Sequence, residues 1–225
     1  MKKVCSVLFG LCVIWILLVA SIRLWALNSN FYIRQYDQMN LAQQLNVSNQ
    51  DLNRSIETLL DYLDNRTDSI SVTITQNDVK KEAFNQREIN HMIDVKALYQ
   101  RVNRAMWISV VLVGIIFIYM GREKQGRLTL TRSIVEASFA FVIFVAFIGV
   151  WIAIDFTDFW IRFHHVFFDN DLWLLTPGVD FMIDILPETI FNRLVISITS
   201  SVVVALVLLN AICIYILRKN RYCEG

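Results

Sequence analysis

The chain reads as an all-α polytopic membrane protein: four transmembrane helices bearing a mixed, mainly helical extracellular cap formed by two external segments. Three observations predict this. Apolar residues make up 56% of the 225 residues against 18% charged, and mean hydropathy is +0.47, too apolar for a soluble domain of this length. Four apolar stretches approach the ~20 residues needed to cross a hydrocarbon core of ~30 Å. Basic residues gather in short segments that an even number of spans puts on one side.

The first span is expected over 4–27. Met1-Lys2-Lys3 resembles the start of a secretory signal, but the apolar run exceeds the usual ~7–15 residues and no A-x-A site follows, so it reads as an anchor. Cys12 follows Leu11 rather than a small residue, against lipoprotein processing there.

The external segment 28–104 is too long for a bare loop. Leu52, Ile56, Leu59, Leu60 and Leu63 recur at helical spacing behind Ser48-x-x-Asp51, a capping-box pattern. Ile70, Val72 and Ile74 alternate with polar residues, which predicts a short strand. From Asp78 neither Pro nor Gly interrupts the chain until the second span at 105–121. A straight helix from His91 to Ala105 would lift the imidazole ~20 Å above the lipid boundary, so the helix is expected to bend, tilt or lie flat. Met92, Val95, Leu98, Tyr99 and Val102 give it an apolar stripe that could rest on the membrane interface or on the other external segment.

A loop at 122–132 and a tail at 218–225 frame the third and fourth spans, 133–154 and 194–217. Lys2 and Lys3, then Arg122, Lys124, Arg127 and Arg132, then Arg218, Lys219 and Arg221 make this side cytoplasmic by the positive-inside rule. The second external segment, 155–193, carries Asp155, Asp158, Asp169, Asp171, Asp180, Asp184 and Glu188 against only Arg162 and Arg193. Its aromatic residues, Phe156 to Trp173, favour the headgroup layer. Pro187-Glu188 suits the first turn of a helix entering the fourth span.

Cys5, Cys12 and Cys213 fall in spans and Cys223 in the tail, so the external segments hold neither a disulfide nor a thiol nucleophile. All three histidines, His91, His164 and His165, lie in the external segments. An unperturbed imidazole titrates near ~6.5, about a unit below an α-ammonium, and so can take up its proton at modest cost. His91 and Asp94, three apart, share a helical face, either as an ordinary surface pair or as a carboxylate orienting a ring. His164-His165 lacks the spacing of a two-histidine metal site, and no metal or cofactor is expected. Glu136 and Asn210 are the strongly polar groups within spans, and Glu136 lies close enough to the edge to reach the interface. Phosphate loops, Gly-x-Ser-x-Gly elbows and His-Glu-x-x-His are absent, and nothing points to nucleic acid.

Glu88-Ile89-Asn90-His91-Met92-Ile93-Asp94-Val95-Lys96, then Phe163-His164-His165-Val166-Phe167-Phe168, Asn170, Trp173, Pro177, Asp180 and Leu186-Pro187-Glu188-x-x-Phe191 resemble the bacterial lipoprotein intramolecular transacylase family, Lit. The likeness covers the four-span layout and both external segments. It implies an acyltransferase of a Gram-positive plasma membrane, termini inside and site outside. The enzyme would move the sn-2 acyl chain of a diacylglyceryl-cysteine lipoprotein in the outer leaflet onto the cysteine's own α-amine, giving the lyso form. Such a transfer needs no enzyme nucleophile, because amine and ester are already tethered.

The resemblance further implies His91 as general base oriented by Asp94, and His164, the histidine directly after Phe163, polarising the ester or protonating the departing oxygen. His165 falls on a variable position. His165, Asn170 and Asp180 would support the site, and Trp173, Phe167, Phe168 and Tyr99 would meet the substrate. Thr176 stands where the pattern has Asp. The rival readings are a non-catalytic tetraspan scaffold or transporter, and an outer-leaflet metal-dependent phosphatase or lipase.

Overall fold

The computed structural model describes residues 2–222, with side chains through Asn220, so Cys223 and the end of the expected tail lie outside the described residues. Its elements run α1 (Lys2–Ala26), α2 (Ser29–Met39), α3 (Leu41–Gln44), α4 (Asn49–Leu63), β1 (Thr73–Gln76), β2 (Val79–Glu82), α5 (Gln86–Met120), α6 (Lys124–Ile154), α7 (Phe156–Phe167), α8 (Phe181–Ile185) and α9 (Glu188–Tyr222). Among the described residues α1, α5, α6 and α9 are long and apolar enough to cross a membrane. The chain divides into two units.

The first unit comprises Met1–Ser21, Val102–Trp160 and Ile198–Gly225. Phe9, Ile116, Met120 and Leu130 form one buried cluster, and Ile14, Val202 and Leu206 another. Phe117, Phe139, Phe144, Phe147 and Val204 point outward and are exposed, an arrangement suited to lipid rather than water. Where α1 meets α6, a Cβ on Gly10 would lie 2.4 Å from the Ser133 carbonyl oxygen, so only glycine permits this approach. Ser109, Ser133 and Ser138 donate to carbonyls one turn back (Ala105, Leu130 and Ile134), which satisfies each hydroxyl within its own helix.

The second unit comprises Ile22–Arg101 and Ile161–Ser197. Leu52, Ile56, Leu59 and Leu60 of α4 are buried, joined in the core by Ile70, Val72 and Ile74. Ser48 caps α4 by accepting from Asp51 N at 3.0 Å. The reciprocal half of the box is replaced: Asp51 accepts from Thr75 N at 3.1 Å and pairs with Arg54, tying α4 to β1. The strand is shorter than the alternation predicts. Only Thr73–Gln76 pairs, antiparallel to β2 through Asn77 (φ 51°) and Asp78 (φ 63°), a two-residue turn with both central residues left-handed.

A single helix, α5, carries both the His91 region and the second expected span, without a break. The first half of α5 is tied to the end of α4 by polar side chains: Lys96 Nζ lies 3.9 Å from the Tyr62 ring centroid, and Gln100 Nε2 donates to Leu63 O at 2.7 Å. After α7, Thr176-Pro177-Gly178-Val179 makes a turn closed by Val179 N donating to Thr176 O at 3.1 Å, with Gly178 at φ 77°. Pro187 then precedes α9, its carbonyl accepting from Ile190 N at 2.9 Å.

Candidate functional site

The site lies in the second unit and is built from the start of α5. Asn85 caps this helix, accepting from Arg87 N and Glu88 N, and Glu88 Oε2 returns a bond from Asn85 N at 2.7 Å. This Asn85-x-x-Glu88 box is legible in the sequence as a capping pattern, although the second partner of Glu88 is not, because it is remote along the chain. Its other oxygen accepts from Met182 N at 2.6 Å, one of the N–H groups left open at the start of α8. One carboxylate, 1% exposed, thus serves two helix termini. Burial pushes its pKa up, and the two backbone N–H bonds oppose that rise.

Asp180 extends the network. It is buried, accepts from Asn85 Nδ2 at 2.7 Å and from Thr176 N at 2.7 Å. Thr176 therefore contributes its backbone, and its side chain is exposed. Two further bridges run from α5 to the loop after α7. Arg87 donates to Asp171 O at 2.7 Å and Asn170 Nδ2 donates to Asp94 Oδ2 at 2.9 Å, one on either side of His91 along the helix.

These ties bring the last turn of α7 to the first turns of α5. The His91 and His164 rings lie 6.3 Å apart between centroids, and both are buried, at 9% and 5% exposure. Phe168 packs against both, 5.5 Å from His91 and 5.8 Å from His164. Trp173 stacks on His164 at 4.7 Å and 24°, with Phe163 edge-on at 5.6 Å. His91 Nδ1 and Trp173 Nε1 are buried with no hydrogen-bond partner among the described residues. Unpaired polar atoms of this kind are costly in a packed interior and fit a site meant to meet another polar group.

The surroundings change the chemistry expected of His91. Burial first, then the neighbouring His164, lowers its pKa to about 4, while the Asp94 carboxylate works in the opposite direction. His91 is accordingly neutral at neutral pH. Asp94 acts on the ring through its field, because its described hydrogen bond is to Asn170.

Of the residues singled out from sequence, His91, His164, Phe168 and Trp173 come together, with Asp94, Asn170 and Asp180 bracing them. His165 is exposed and meets Trp173 edge-on at 5.2 Å. Phe167 is exposed and packs on Phe163. Tyr99 is not brought to the pair. It sits eight residues further along α5, about 12 Å by helical rise, and its hydroxyl accepts from Arg23 at 2.8 Å. Among the described residues no group of three His, Cys, Asp or Glu stands close enough to hold a metal ion.

Residues 7–191 match the family model described as lipoprotein intramolecular transacylase Lit. The fold is similar to the in meso structure of the membrane integral lipoprotein intramolecular transacylase Lit from Bacillus cereus, with TM-score 0.81 and 18% identity over 99% of this chain and 98% of that one. Two variants of the B. cereus protein, one with a histidine-to-arginine and one with a histidine-to-alanine mutation, give TM-scores of 0.75 and 0.79 at 18% and 19% identity. Each covers 99% of this chain, and 95% and 96% of the respective other. No curated protein matches the chain.

Proposed function

Because the chain belongs to the lipoprotein intramolecular transacylase family Lit, a family of acyltransferases, we propose that it moves the sn-2 acyl chain of a diacylglyceryl-cysteine lipoprotein to that cysteine's α-amine by a two-histidine acid/base mechanism. The observation that carries the mechanism is the pair of buried imidazoles 6.3 Å apart, contributed by segments distant in sequence.

The amine nitrogen adds to the ester carbonyl carbon, forming a C–N bond while the carbonyl oxygen takes the electron pair. Nδ1 of His91 accepts the proton that the nitrogen sheds. The carbonyl then re-forms, the C–O bond to glycerol breaks, and His164 supplies a proton to the departing oxygen. The proton on His91 then passes back to His164 and resets the pair, so that amine and ester become amide and alcohol with a net transfer of one proton from nitrogen to oxygen and no water consumed. A proton on one ring opposes a proton on the other, which disfavours both being protonated at once.

A base with pKa about 4 is a poor match for a free α-ammonium near ~8, a gap of ~5 kcal/mol. His91 is better suited to the nitrogen once it has attacked and become positively charged, with the amine entering neutral. Tethering supplies much of the rest, since well-held intramolecular reactions reach effective molarities of order 10⁵–10⁸ M.

In this reading Asp94 and Asn170 hold the loop that carries Trp173, and Asp180 braces its far end. Trp173, Phe167 and Phe168 flank the acyl chain. The membrane-embedded lengths are 4–27, 105–121, 133–154 and 194–217, in a Gram-positive plasma membrane. Both termini are cytoplasmic, and the site faces lipoproteins in the outer leaflet. Histidine being the residue replaced in both B. cereus variants fits a histidine-centred site.

The test is mass spectrometry of lipopeptides made by cells carrying His91→Ala or His164→Ala. Each variant is expected to form the N-acyl, S-monoacylglyceryl product ~10²–10⁴ times more slowly. Wild-type product from either, at equal protein level, removes that histidine from the mechanism. Full product from both supports the scaffold instead.

A further inference from the structure

The first unit carries a second polar feature that the reaction does not use. At the end formed by the start of α6 and the end of α9, a cleft of about 470 Å³ is lined by Arg132 and Arg218 together with Gln125 and Asn220, and by the apolar stems of Leu128 and Leu217. Two guanidiniums share one cleft, and among the described residues no carboxylate lines it. Both arginines are exposed, and among the described residues neither has an ion pair. Glu123, which opens α6, is taken by Lys2 at 3.0 Å.

Like charges gathered without a counter-charge repel each other, and an anion between them relieves that repulsion. Guanidinium forks match phosphate oxygens two at a time, and amide side chains add further donors. A volume of about 470 Å³ has room for a phosphate ester headgroup together with the first carbons attached to it. Arg132 directly precedes the third expected span and Arg218 directly follows the fourth, which is headgroup depth, with apolar residues beside them for the first carbons of a lipid. Basic pockets between transmembrane helices take anionic headgroups in this way. We propose that this cleft binds a phosphate ester anion, supplied by an anionic phospholipid of the leaflet at that end.

The experiment uses the full chain, stripped of lipid in a neutral detergent, with its thermal midpoint followed against added phosphatidylglycerol, phosphatidylcholine or inorganic phosphate. Phosphatidylglycerol is expected to raise the midpoint and phosphatidylcholine to leave it unchanged. Arg132→Gln/Arg218→Gln should weaken the apparent affinity about 30-fold. Arg122→Gln/Lys219→Gln, which removes the same charge outside the cleft, should bind as wild type. Inorganic phosphate protecting at millimolar level, and losing that effect in the Arg132/Arg218 variant, supports the site and makes soluble phosphate its source. Undiminished phosphatidylglycerol binding by Arg132→Gln/Arg218→Gln, or an equal loss in the control pair, overturns the proposal. If the glutamine pair does not fold, Arg132→Lys/Arg218→Lys keeps the charge and removes the forks. Severalfold weaker binding then supports the cleft, and unchanged binding overturns it.

Discussion

His91 is held neutral by its surroundings, and this gives the protein a pH signature. Its pKa of about 4 in the folded chain lies below the ~6.5 of an unfolded one, so between these values the unfolded chain binds more protons. The contribution of His91 to stability is therefore fully present above ~pH 6.5 and is lost as pH is lowered toward 4, by about 3 kcal/mol in total for this 9%-exposed group. The thermal midpoint of the purified protein, measured from pH 7 to pH 4, should decline, and His91→Asn should flatten this part of the decline. An identical slope in the variant would assign the decline to other groups. Glu88 offers a second residue-level test. Glu88→Gln leaves one acceptor and turns an amide N–H₂ toward a backbone N–H, which should cost ~1–3 kcal/mol and lower the midpoint, with product formation falling as the Met182 end of the loop loosens. The histidines were legible from sequence because they are rare and externally placed. The lowered pKa of His91 was not, since it depends on Phe168 and His164 packing against the ring.

At the scale of elements, helical apolar spacing identifies α4, because a buried face must recur at helical intervals, whereas unbroken apolar length identifies the four long helices, whose outward faces meet lipid. The pattern failed where burial does not govern. β2, Val79-Lys80-Lys81-Glu82, is exposed at every position and forms through its turn and its ladder with β1, so it carries no apolar alternation. The five-residue α8 is too short for periodicity, and its first turn depends on Glu88, which is remote in sequence. Helix packing in the first unit gives a contrast between glycines. Gly10→Leu forces side-chain atoms against the Ser133 backbone and should cost at least ~1–3 kcal/mol. Gly114→Ala and Gly149→Ala meet nothing within 4 Å and should be neutral or gain up to ~1 kcal/mol from helix propensity. Thermal midpoints of the three variants in one detergent provide the comparison, and equal midpoints would mean that α1 and α6 do not approach closely at Gly10.

For the whole molecule, the decisive issue is which side of the membrane each segment occupies, because the proposed reaction requires the histidine pair on the same side as the substrate's ester and amine, proposed above to be the outer leaflet. Segment 122–132 holds Arg122, Lys124, Arg127 and Arg132 with a single acid, Glu123, whereas 155–193 is rich in Asp and holds only two arginines. Short basic loops resist translocation, so 122–132 and both termini are expected inside, which sends 28–104 and 155–193 outside together. Four spans satisfy this arrangement, and an odd number would separate the termini. A cysteine-free background carrying either Val79→Cys, on the exposed strand β2, or Gln125→Cys, at the exposed start of α6, separates the possibilities with a membrane-impermeant maleimide. Val79→Cys should label in intact cells, and Gln125→Cys only after permeabilisation. The reverse pattern would put His91 and His164 in the cytoplasm, away from the outer leaflet where the proposal places the diacylglyceryl-cysteine. Two well-placed imidazoles would then have no such substrate to act on, however close their rings.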